Sequence, residues 1–124
     1  MPRVFPQVLG VFLAKCVWGW FIKPPPIAVA PLAPALHADL TTRERVALQT
    51  SPETCMTCHS MINALGFTLE NFDTLGRFRQ SELGRPIDSS GLYLTTTGDE
   101  VRFSEGGDLA RFLAGSPECQ QAFV

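Results

Sequence analysis

Five consecutive residues near the middle of the chain, Cys55-Met56-Thr57-Cys58-His59, restrict what it can fold into more than any other stretch. They spell C-x-x-C-H, a spacing at which two thiols can add to the vinyl groups of neighbouring haem pyrroles while the adjacent imidazole reaches the iron. On a helix, Cys55, Cys58 and His59 fall at i, i+3 and i+4 and share one narrow face. One turn of backbone would then clamp an edge of the macrocycle and supply His59 as its proximal ligand.

The same side chains have other uses. A zinc site would take the thiolates and the imidazole, but zinc asks for four tetrahedral ligands. The remaining candidates, Cys16, Cys119 and His37, stand singly and far along the chain, with no second knuckle. A thioredoxin-like redox pair places C-x-x-C between a strand and a helix of a βαβ unit, a pattern not visible around Cys55. Incidental cysteines are the third alternative. Haem attachment stands ahead of all three.

A length of 124 residues bounds the chain to one domain, with at most an appended segment. The ten Lys and Arg residues are scattered, and the net charge is −2. Only Arg43/Arg45 and Arg77/Arg79 sit close together, so there is no basic field to recruit nucleic acid. Ten Gly and ten Pro leave much of the chain to loops. A buried cofactor would help fill the small core that remains.

The chain divides into three parts. In residues 1–40, an apolar stretch from Val4 to Ile22 precedes Lys23-Pro24-Pro25-Pro26 and a Pro/Ala-rich run to Ala38. Arg3 and the small residues Ala33-Pro34-Ala35 allow a secretory signal or anchor. Leu13-Ala14-Lys15-Cys16 is close to a lipoprotein cleavage site, but a lysine directly before the cysteine spoils it. Pro6, Gln7 and Lys15 interrupt the apolar run, which fits a helix packed on the domain better than a membrane association through residues 4–22. A stiff polyproline linker would follow that helix.

Residues 41–83 carry the motif. Thr41-x-x-Glu44 predicts a capping box opening a helix through Leu48. Ser51-Pro52-Glu53 predicts a second start, with Ser51 as N-cap and Pro52 in the first turn, for a helix that carries the cysteines and ends near Gly66. Phe67, Leu69, Phe72, Leu75 and Phe78 follow as candidate walls of a haem crevice, or as plain core. In residues 84–124, the turn residues Gly84, Asp88 to Gly91 and Gly98-Asp99 separate short apolar runs, which predicts a β-hairpin or looped excursion. Asp108 is expected to cap a short helix ending at Gly115, and Ser116-Pro117-Glu118 to start another.

Several of these residues are similar to a known family. Cys55-x-x-Cys58-His59 is followed by Leu65-Gly66-Phe67-Thr68-Leu69-Glu70-Asn71-Phe72-Asp73 and Gly76-Arg77-Phe78-Arg79. This run resembles the C-terminal domains of the planctomycete-type cytochrome c proteins, large extracytoplasmic proteins of bacteria. Pro86-Ile87-Asp88-x-x-Gly91, Phe103 and the Leu109/Leu113 helix extend the likeness forward, and Gly10 to Leu13 with the Pro24 to Pro26 run extend it backward. This chain has Asn63-Ala64 where the family has Asp-Pro, and it looks shorter than those proteins at both ends.

The resemblance implies a mainly α fold, a small cytochrome-c-like helical domain with a short β-hairpin or loop around residues 86–103. It implies one covalent haem c on Cys55, Cys58 and His59, single-electron transfer to redox partner proteins favoured over an enzymatic role (an open sixth site would also permit ligand binding or peroxide chemistry), and a periplasmic or other extracytoplasmic location, although no export signal is clear. Phe67 and Phe72 are the candidate walls, and Arg77 (or Arg79) a candidate partner for a haem propionate, since guanidinium pairs bidentately with carboxylate. The alternative for Arg77 and Arg79 is an ion pair with Glu70 or Asp73. Met56 lies inside the motif, and Met61 stands only about 3 Å of helical rise beyond His59, so neither reaches the opposite haem face. His37 is the candidate sixth ligand, the default being water, an open position or a segment outside the chain. An apo structural remnant and a zinc site are the alternative functions.

Overall fold

The capping box predicted at Thr41 forms: its hydroxyl accepts from the Glu44 amide at 3.3 Å, and the Glu44 carboxylate accepts from the Thr41 amide at 2.7 Å. It opens helix α2, Thr42–Gln49. The structure is a computed structural model that describes residues 5–17, 19, 21–23 and 37–122. Residues 24–36 of the Pro/Ala-rich linker therefore lie outside the described residues.

Helix α3, Glu53–Phe67, carries the motif and organises everything else. Its N-cap position is Pro52, not Ser51, and no side chain caps it. The Ser51 hydroxyl instead donates to the Leu48 carbonyl at 2.8 Å. The end of α2 leaves carbonyls without helical partners, and Ser51 is the nearest donor. The C-terminal half of α3 is buried from Ile62 through Phe67, whereas the half holding Cys55, Cys58 and His59 is exposed or half-buried. Helix α1, Phe5–Phe12, continues through a π-helical turn, Leu13–Val17, and packs against that buried half. The apolar N-terminal stretch thus forms a packed helix, and no helix among the described residues is long and apolar enough to cross a membrane.

Two glycines set the closeness of this packing. A Cβ on Gly10 would stand 2.1 Å from the Ile62 carbonyl oxygen, and one on Gly91 would stand 2.3 Å from that of Ala64. The two carbonyls lie about 200° apart around α3, so its backbone is gripped from nearly opposite sides. Gly91 begins strand β3 of the larger hairpin.

That hairpin falls within the segment expected to hold one. Before it comes a smaller hairpin not foreseen, β1 (Ser81–Glu82) with β2 (Arg85–Pro86), whose turn places Leu83 at φ 53° and Gly84 at φ 72°. Strands β3 (Gly91–Leu94) and β4 (Glu100–Phe103) then pair antiparallel, Gly91 opposite Phe103. The two-residue alternation turns Tyr93 inward and Leu92 and Leu94 outward. Phe112 meets the rings of Tyr93 and Phe103 edge-on, at 5.8 and 5.5 Å. Helices α4 (Gly106–Gly115) and α5 (Pro117–Gln121) close the far side. Ser116 caps α5 as expected, but Glu105 takes the N-cap of α4, and Asp108 instead accepts from the Ser104 amide at 2.7 Å. The core is Leu13, Ala14, Leu65, Tyr93, Phe103, Leu109 and Cys119. Among the described residues the fold is a small mixed domain, about half helical, with two small antiparallel hairpins.

A buried ionic network ties α2 to the segment after α3. Glu82 accepts from the Thr42 amide and hydroxyl at 3.0 and 2.7 Å. Arg79 lies 2.9 Å from Glu70 and 3.6 Å from Glu82. The Glu70 side chain is only 2% exposed, and its Oε2 has no hydrogen-bond partner. Burial pushes the Glu70 carboxyl up to about 7, against the pull of Arg79.

Gly91→Ala should destabilise the chain by about 1–3 kcal/mol, read by urea denaturation, because the added methyl meets backbone and not a movable side chain. An unchanged midpoint would contradict the close approach. Glu70 sets a pH dependence. Its folded pKa lies above the unfolded one, so the folded state holds the proton more tightly, and stability falls as pH rises from about 4.5 to about 7. The loss is of order 3 kcal/mol at about 1.4 kcal/mol per pK unit. Glu70→Gln should flatten the pH 4.5–7 limb; a limb of unchanged slope would show that another group titrates there.

Candidate functional site

A cleft of about 640 Å³ opens beside the exposed half of α3. Arg43, Ala47 and Thr50 of α2 and its C-terminal end form one wall, and Gly91, Leu92 and Leu94 of β3 another. Its floor is α3 itself, which contributes Met56, His59, Asn63 and Phe67 at one-turn spacings. The outward alternation of β3 is what places Leu92 and Leu94 here, 40% and 60% exposed, as an apolar lip without a packing partner in the core.

Of Cys55, Cys58 and His59, only His59 is in the cleft lining. His59 lines the cleft, half-buried, while Cys55 is half-buried and Cys58 exposed, both unbridged and neither in the lining. Helical geometry sets Cys55 about 40° and Cys58 about 100° around α3 from His59, on the side away from Asn63. His59 Nδ1 lies 3.1 Å from the Asn63 side-chain oxygen, and Asn63 Nδ2 donates to the Thr50 hydroxyl at 2.9 Å.

The other candidates scatter. Phe67 is buried and lines the cleft, with the Arg43 guanidinium 4.4 Å from its ring centre. Phe72 does not line it: it is 37% exposed and meets Phe78 edge-on at 5.7 Å. The apolar stripe stops working as a wall because α3 ends at Phe67, after which the chain turns and leaves Leu75 and Phe78 exposed. Arg77 pairs with Asp73 at 2.8 Å and Arg79 with Glu70, the ion-pair alternative for both. Asp73 also accepts the Leu75 and Arg77 amides, which hold its carboxyl below the usual range. His37 is half-buried and does not line the cleft. Arg43 is the cation that does; it donates to the carbonyls of Asp88 and Ser90, both at 2.8 Å, and the sequence reading passed over it.

Two unbridged thiols on the same helix, outside the cleft lining, and an imidazole inside it with one nitrogen already engaged are the residue types that would hold a covalent haem. For zinc the arrangement is poorer, since among the described residues no three His, Cys, Asp or Glu side chains gather closely enough to hold a metal ion.

The chain matches the family model PSCyt3, described as a protein of unknown function (DUF1588), over residues 6–82. The match runs from α1 through β1 and takes in the whole motif helix. The chain belongs to this family, a planctomycete-cytochrome-type domain family. No curated protein and no solved structure matches it.

Proposed function

We propose that this chain is a c-type cytochrome domain that holds one haem covalently through Cys55 and Cys58, with His59 as the proximal iron ligand. The observation that carries the reading is the placement of the His59 imidazole in an apolar cleft of about 640 Å³, with two unbridged thiols on the same helix. A bound haem c would supply a one-electron couple, whose potential the surrounding residues tune. Cys55 and Cys58 would hold the edge of the ring. Phe67, Leu92 and Leu94 line the cleft with apolar surface that would exclude water from it. Arg43, which lines the cleft and lies 3.5 Å from Asp88, would be the guanidinium nearest a propionate there, in preference to Arg77.

His37 is not positioned at the cleft, so the sixth position falls to water, an open site or a segment outside the described residues. The partners on this reading are redox proteins, and the location is extracytoplasmic, where thioethers to haem are formed. Electron carriage, not turnover of a substrate, is the role. One observation favours a second reading, an apo structural module: the core around Leu65, Tyr93 and Leu109 is complete without the cleft.

Expression with export and haem maturation separates the two. The carrier reading expects a pyridine haemochrome and an intact mass raised by one haem; Cys58→Ser should lose at least half of the attached haem, and the double change of Cys55 and Cys58 to serine all of it. A parent chain with no added mass would leave the apo module standing.

A further inference from the structure

A chain of hydrogen bonds ends at His59, and its polarity can be read from the far end. The Val46 carbonyl only accepts, so the Thr50 hydroxyl donates to it, at 2.8 Å. A hydroxyl has one proton, so toward Asn63 it offers lone pairs, and Asn63 must present its NH₂ there, at 2.9 Å. The amide oxygen of Asn63 is thereby turned to His59 Nδ1 at 3.1 Å, where only a protonated nitrogen satisfies it. In the neutral ring the lone pair is then on Nε2.

The Asn63–Thr50 end of the relay is buried, with Thr50 3% and Asn63 8% exposed, so an orphaned group there would be costly, while His59 itself is half-buried. It also joins elements: Thr50 lies at the end of α2 and Asn63 in the buried half of α3, one turn beyond His59. The imidazole is therefore referenced to the buried part of the fold although it sits on the more exposed half of its helix.

We propose that Asn63 and Thr50 are positioning residues that select the Nδ1–H tautomer of His59 and keep Nε2 as the ligating nitrogen. The inference deepens the cytochrome reading and rests on it for its electronic consequence. The tautomer itself is a property of the chain without haem. An amide oxygen is a weaker acceptor than a carboxylate, so Asn63 fixes the ring without giving it imidazolate character. A carboxylate there would make His59 a stronger donor to iron and lower the reduction potential.

The test uses the full chain, first without haem. Nitrogen-15 shifts of the His59 ring should report one tautomer, Nδ1–H, in the parent and in Asn63→Asp, which keeps an acceptor. Asn63→Leu removes the acceptor at similar volume, and the Nε2–H form should become the major one. Thr50→Val, the milder variant, should give a mixture because the amide is no longer pinned. Ring shifts unchanged in both Asn63→Leu and Thr50→Val, in chains whose amide spectra remain dispersed, would overturn the relay. In the haem-loaded chain, Asn63→Asp should lower the midpoint potential and Asn63→Leu should raise it while haem stays attached; equal potentials would remove the electronic role. Absence of haem from the parent would sink the cytochrome reading alone, since the tautomer result is obtained without it.

Discussion

Helix α3 is held by its C-terminal half, through backbone approaches that admit no Cβ at Gly10 or Gly91. The rest of the structure depends on this grip. With α1 on one side and β3 on the other, the segment from Ile62 to Phe67 has no exposed face, and the helix is fixed in position and rotation. Its N-terminal half continues beyond the buried segment, exposed or half-buried. Whatever Cys55, Cys58 and His59 do, they do it from a support whose orientation is set by packing elsewhere, which is what a preorganised site requires.

The second consequence of the grip is the cleft. Gly91 brings β3 against α3, and the two-residue period of the strand sends Tyr93 to the core and Leu92 and Leu94 to the space beside His59. One hairpin therefore supplies a core wall and a cleft wall together. Helix α2 is the third wall, and it is secured by Glu82 at its first turn and by the Asn63–Thr50 bond at its last. A buried carboxylate of raised pKa, Glu70, lies in the same support. The chain thus concentrates its polar burial where the cleft walls must be held in register.

Much of this could be read from the residues. Thr41-x-x-Glu44 formed its box, Ser116-Pro117-Glu118 its start, and the apolar run before Lys23 a packed helix, because each rests on local chemistry or a clear period. What stayed hidden depended on tertiary contacts. Ser51 and Asp108 are good caps diverted to closer partners, the Leu48 carbonyl and the Ser104 amide. The hairpin at Leu83-Gly84 was signalled only as a turn at Gly84, because leucine is unusual at positive φ and does not mark a two-residue hairpin loop. The stripe through Phe72, Leu75 and Phe78 has helical spacing but no helix beneath it. At the site, the motif pointed to Cys55, Cys58 and His59, and Phe67 is at the cleft; Arg43 and Asn63 were missed. An i, i+4 His/Asn pair on the motif helix was the available signal for Asn63.

The account's central claim is that the cleft beside His59 is where the ring of an attached haem lies. Methyl spectra of the full chain with and without haem test it directly. The expected result is large haem-induced shifts at Leu92 and Leu94, with Leu109, on the far side of the hairpin, nearly unmoved. Shifts absent from Leu92 and Leu94 in a chain that demonstrably carries haem would place the ring elsewhere and contradict the account.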